Sequence, residues 1–234
     1  MTRRLQSVGI VLAIIGVAFL VAAGVAFTKV QAGYDSLEAF SAEQNVQLSY
    51  NEDGKLTDRG ETEGAEAIMS LLEDDWKYPV VDSELDPADP LVNTASEYMY
   101  QMATIAYHTL HGTQTVVLTE DTTYNGEVFK AGTYEFDIDG RYWTDFDRSH
   151  PIEGAAREQA WSGTAHGLIG ELGVGTVTAS TLQLGMAVSG ILAGLGLTII
   201  LAGLGLVWAS RSKFDRIVEN GLKVKERDEV ATAS

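Results

Sequence analysis

No cysteine occurs in the 234 residues, so neither disulfides nor thiolate metal ligands are available, and packing alone must stabilise whatever this chain folds into. Histidine is scarce, at four, and Lys plus Arg number 16 against 33 Asp plus Glu. The basic residues are missing above all from the middle: between positions 30 and 180, 28 acidic side chains face 7 basic ones, a net of −21. A region of that sign excludes nucleic acid as a natural partner. Proline is also rare, and three of the four fall within residues 79–90 among acidic residues, which reads as a loop. There is no G-x-S-x-G elbow, so nucleophilic catalysis has no sequence signature.

What the chain does have is two long uncharged apolar runs, Val8–Phe27 and Leu182–Trp208. At about 1.5 Å per residue each is long enough, as a helix, to cross a hydrocarbon core of about 30 Å. Arg3 and Arg4 precede the first run, and Arg211, Lys213, Arg216, Lys223, Lys225 and Arg227 follow the second. Basic flanks stay in the cytoplasm, so both termini are expected inside and the acidic middle outside. The first run has the basic start of a signal peptide, but it is longer than the roughly 7–15 residues of a signal core and lacks an A-x-A site before Thr28. An uncleaved anchor is the expectation.

Glycine is plentiful in both runs. At about 100° per residue, Gly185, Gly196 and Gly203 share one line of the second helix, while Gly190, Gly194, Thr198 and Gly205 fall roughly opposite. The first run carries one comparable stripe, Gly9, Ala13, Gly16, Ala23 and Gly24. Small residues let helix backbones approach closely in lipid, so these positions are expected to pack helices. One face of the second helix would meet the first span. The other would remain for self-association or a membrane protein partner.

Between the runs, Val30, Tyr34, Leu37 and Phe40 continue the helical period as a stalk. Val46, Leu48 and Tyr50 then alternate toward an Asp53-Gly54 turn and Leu56, which predicts a short ribbon. An amphipathic helix is expected over 62–76, with Ala65, Ile68, Met69, Leu72 and Trp76 on its apolar face. A longer one is expected from Asn93 or Thr94 to His111, with Tyr98, Met99, Met102, Ile105, Ala106 and Leu110 inward. The period changes after Gly112. Thr115–Thr119, the Asn125-Gly126 turn and the alternation of Tyr134, Phe136 and Ile138 with acidic residues predict a small antiparallel sheet, ended by Asp139-Gly140. Pro151 suits a helix start, and that helix should run from Ile152 to about Leu172, with Gly173 and Gly175 as a break before the second span.

Candidate chemistry is sparse. His108 and His111, three residues apart near a helix end, are the candidate metal ligands; a third would have to come from His150, His166 or a carboxylate of 145–153. Asp137, Asp139, Asp145 and Asp147 lack the spacing and late glutamate of a calcium loop. Ser162 and His166 lie one helical turn apart, with nothing to activate the hydroxyl. Tyr142, Trp143 and Phe146, beside Arg141 and Arg148, read as a core corner or a contact patch.

Three runs, Arg4 to Val11, Ala95 to Met102 and Gly140 to Asp147, carry a resemblance over nearly the whole chain to uncharacterised two-span membrane proteins of high-GC Gram-positive bacteria. Members of that group are sometimes named after the small subunit of aromatic ring-opening dioxygenases. Such a name implies a non-haem iron held by His and carboxylates, and the sequence places no such set.

The expected architecture is an α+β extracytoplasmic domain with a small antiparallel sheet, between two transmembrane helices that form a hairpin with both termini inside. Its parts are a cytoplasmic N-terminus (1–7), the first span (8–27), a stalk (28–45), the domain (46–172), a juxtamembrane piece (173–181), the second span (182–208) and a tail, basic then mixed in charge (209–234). The expected function is non-catalytic: an accessory or scaffolding protein of the plasma membrane that binds the bilayer and another membrane or envelope protein, with no cofactor. The alternative is a membrane-tethered metal-dependent enzyme using His108 and His111.

Overall fold

The computed structural model describes the backbone of residues 2–232 and the side chains of residues 3–211; the basic tail residues from Lys213 onward lie outside the described side chains. The chain divides into two compact units, one made by residues 1–34 with 182–234 and the other by residues 35–181. Among the described residues two helices are long and apolar enough to cross a membrane, α1 (Thr2–Gln44) and α5 (Gly163–Thr232), and a small antiparallel-sheet domain lies between them in sequence.

In the first unit, α1 and α5 touch through backbone at two levels. A Cβ added at Gly203 would lie 2.5 Å from the Gly9 carbonyl oxygen, and one at Gly196 would lie 2.8 Å from that of Gly16. Real Cβ atoms do not come so close, so glycine at these positions is what permits the approach. Gly185 faces the Val30 side chain, and the Ser189 hydroxyl reaches the Ala23 carbonyl at 3.5 Å. Gly190, Gly194 and Gly205 have open space beyond them, as does Gly24.

The second unit begins inside α1. Where that helix ends at Gln44, the chain crosses to pair Gln47 with Leu91 and Tyr50 with Leu56. The expected ribbon is thus reduced to single bridges, because Asn51 organises the turn with its side chain: its Oδ1 accepts from the backbone N–H of Asp53 and Lys55. Helix α2 (Thr62–Ser70) loosens into a wider π turn over Leu71–Asp75, which sets Leu71 and Leu72 into the core.

Helix α3 (Ala95–Leu110) starts at a full capping box, with the Thr94 hydroxyl accepting from the N–H of Glu97 and the Glu97 carboxylate accepting from that of Thr94. It is buried on more than one face. Tyr100 and Ala103 are as buried as Tyr98 and Ala106, whereas Met99, Met102 and Ile105, expected inward, pack only at the edge of the core.

The sheet region is two nested ribbons, each two-stranded: β1 (Thr113–Leu118) pairs with β4 (Gly132–Asp137), and inside that loop β2 (Thr122–Tyr124) pairs with β3 (Glu127–Phe129). Asn125 and Gly126, at φ 49° and 85°, make the turn between β2 and β3. Val116 packs in a cluster with Ala156 of α4 (Glu153–Ala160), and Ile138, just past β4, in another with Ala160 and with Leu71 of the π turn.

The helix expected over Ile152 to Leu172 is broken, and at a different place from the one expected. The break falls at Trp161-Ser162, where the buried Trp161 indole donates to the Arg141 carbonyl and the Ser162 hydroxyl accepts from the N–H of Ala165 to start α5. Helix α5 then passes through Gly173 and Gly175 without interruption. Gly175 serves a contact: a Cβ there would lie 2.5 Å from the Tyr98 ring.

Candidate functional site

A cavity of about 610 Å³ lies within the second unit. One wall is the end of α1, with Leu37, Phe40, Ser41 and Gln44; the floor is α3, with Tyr98, Gln101 and Ile105. The other wall is the start of α5, with Leu168, Glu171, Leu172, Val174, Gly175 and Thr178, and Val46 and Val92 close one end. Such a volume with a mostly apolar lining is what small-molecule sites share.

Local sequence places each part. Helix α1 carries its stripe past the apolar run, so Leu37 and Ser41 fall one turn apart on the face toward α3. The Ser41 hydroxyl lies 2.8 Å from that of Tyr98, and Ser41 is 2% exposed and Tyr98 6%. The two hydroxyls bond each other, and the Tyr98 ring adds apolar surface to a floor that also carries Gln101. The rim is different: Phe40 is 48% exposed and Val174 67%. Glu171 is the one charged side chain among the described lining residues.

The histidines expected to hold a metal are engaged separately. His108 Nε2 lies 2.9 Å from Asp58 Oδ1, across 50 residues of sequence. Asp58 is placed by a tight turn in which Arg59 and Gly60 both take positive φ and Asp58 and Glu61 exchange backbone hydrogen bonds. His111 instead bonds its own helix, Nδ1 to the Tyr107 carbonyl at 2.9 Å, and its ring packs on Tyr107. His150 and His166 join neither. His150 Nδ1 accepts from the backbone N–H of Ile152 and Glu153, capping α4, while His166 Nδ1 pairs with the Ser162 carbonyl. Among the described residues no three His, Asp or Glu side chains converge to hold a metal ion.

Of the other sequence candidates, Asp137 and Asp139 line a second, more open cavity with His111, but the carboxylates are bonded separately. Asp137 accepts from the Thr113 hydroxyl, Asp145 from the N–H of Tyr142, and Asp147 from the Tyr124 hydroxyl and the N–H of Ser149. The Tyr124 bond holds the Asp147 carboxyl below its ordinary range and raises the Tyr124 phenol. Phe146 is core, Tyr142 stacks on Trp161, and the Arg157 guanidinium sits 3.0 Å above the Trp143 ring.

Sequence reasoning missed the cavity, the Asp58–His108 pair and the buried Arg157. The first two need segments about 50 or more residues apart to meet. The only local sign of the cavity was the apolar stripe continuing through Leu37 and Phe40 beyond the first span. Comparison of the chain with protein-family models, with curated proteins and with solved structures returns no match.

Proposed function

We propose that this chain is a non-catalytic, membrane-anchored protein whose acidic domain lies outside the plasma membrane, with both termini in the cytoplasm, and which binds another membrane or envelope protein. The observation that carries the reading is the difference between the two glycine faces of α5. Gly196 and Gly203 press on the carbonyls of Gly16 and Gly9, while Gly190, Gly194 and Gly205 meet nothing within 4 Å. A small-residue face left open in lipid suits a second close helix, from another copy or another protein. The basic flanks support the orientation, and the resemblance to two-span proteins of high-GC Gram-positive bacteria accords with an envelope location.

The test compares Gly194→Leu with Gly196→Leu in full-length protein purified in mild detergent together with whatever accompanies it. Gly196→Leu drives a side chain into the Gly16 carbonyl and should lower the melting temperature. Gly194→Leu should leave the fold intact and abolish association. Unchanged association and unchanged melting in both variants would mean that the glycines only reflect membrane composition.

A further inference from the structure

We infer that the cavity between α1, α3 and α5 holds one hydrocarbon chain of a lipid whose headgroup carries no net negative charge. A cavity of about 610 Å³ with a mostly apolar lining is of the size that takes up a small apolar ligand, and a flexible hydrocarbon chain fills it without needing a polar partner.

The lining selects the chemistry. Ser41 and Tyr98 bond each other at 2.8 Å, and Gln44, Gln101 and Thr178 add polar groups, but Leu37, Val92, Ile105 and Leu172 help to make the lining mostly apolar. Glu171, in a domain of strongly negative balance, repels a phosphate or carboxylate at the mouth. The exposed Phe40 and Val174 are apolar surface that a hydrocarbon chain removes from water. Supply follows from anchoring: α1 and α5, which wall the cavity, are also the two helices long and apolar enough to cross a membrane. The inference rests on that anchoring and not on the protein partner.

The experiment uses full-length protein in liposomes doped with a monoacylglycerol carrying a photoactivatable diazirine in its chain, and in parallel the chain-matched fatty acid. After irradiation, labelled peptides are mapped by mass spectrometry. The monoacylglycerol should label segments holding Phe40, Ile105 or Leu172 in addition to the spans, and the fatty acid several-fold less. Val174→Trp fills the mouth and should reduce the domain labelling at least five-fold. Val177→Trp, equally exposed on the same helix but outside the lining, should not. If Val174→Trp misfolds by its melting curve, Thr178→Trp replaces it. Labelling confined to residues 8–27 and 182–208, equal labelling of the two tryptophan variants, or a co-purified polypeptide crosslinked in the cavity instead would overturn the inference. None of these outcomes bears on association through Gly194.

Discussion

The hydroxyls of Ser41 and Tyr98, 57 residues apart in sequence, lie 2.8 Å from each other and are both buried, tying the end of α1 to the face of α3. Either substitution alone removes the partner of the other buried hydroxyl. Ser41→Ala and Tyr98→Phe should each destabilise the protein by about 1–3 kcal/mol, and the double variant by less than their sum. Additive losses in a double-mutant cycle of melting or denaturant midpoints would show that the bond carries no coupling.

Tyr50 and Tyr100 present the opposite case, since neither buried hydroxyl has a hydrogen-bond partner among the described residues. Tyr100→Phe should therefore be neutral or stabilising, within about 1 kcal/mol, in contrast to Tyr98→Phe. Burial first, then the charges of Glu97 and Asp86, pushes Tyr50 up to about 12; burial first, then Asp58 and Tyr50, raises Tyr100 as well. A phenol raised in the folded state contributes stability that is complete below the unfolded value near 10 and is lost as pH rises through the folded one. Absorbance titration should show these two phenols ionising only with alkaline unfolding, and normal ionisation in the folded protein at pH 10 would contradict their burial.

Glu97, 2% exposed, accepts from the N–H groups of Asn93 and Thr94 and from the Thr94 hydroxyl. Burial outweighs these bonds and raises its carboxyl above the ordinary value. The sign follows: Glu97 contributes most below the unfolded value near 4.3, and that contribution is lost as pH rises through the folded value. Relative to Glu97→Gln, the wild type should thus be more favoured at pH 4 than at pH 7. Melting temperatures across that window decide the matter, and a constant difference would rule the effect out.

His150 caps α4 through Nδ1 and holds the rings of Tyr124 and Phe129 at 5.2 and 4.9 Å. His150→Ala removes both interactions and should cost about 1–2 kcal/mol, whereas His150→Asn, a natural capping residue, should recover part of it. Equal losses in the two variants would assign the stabilisation to ring packing instead.

The Asp58–His108 pair bears on the metal-dependent alternative. With His108 committed to Asp58 and His111 to its own helix, zinc, iron or chelator should not shift the melting temperature, and His108→Ala should act through loss of the pair alone. A stoichiometric metal lost on His108→Ala, His111→Ala substitution would restore the enzyme reading. Orientation is tested with Glu127→Cys, on the exposed β3 ribbon, against Thr232→Cys: an impermeant reagent on intact cells should label the first and spare the second.

What the sequence determined by itself was whatever depends on neighbours along the chain. The two apolar helices followed from uncharged runs, the start of α3 to within one residue from Asn93 or Thr94 ahead of its periodic residues, and the β2–β3 turn from Asn125-Gly126, because periodicity and turn chemistry act within a few residues. Tertiary structure decided what those local signals left open. Gly175 looked like a helix breaker yet sits in unbroken helix, since its missing side chain makes room for Tyr98, 77 positions earlier in the numbering. The break moved to Trp161, whose indole is held by the Arg141 carbonyl. Two glycine faces of α5 could be drawn from angles alone, but only the approach of Gly9 and Gly16 distinguished the occupied face from the open one. The cavity, likewise, exists only because α1, α3 and α5 meet, and no local pattern encodes a meeting between residues 41, 98 and 175.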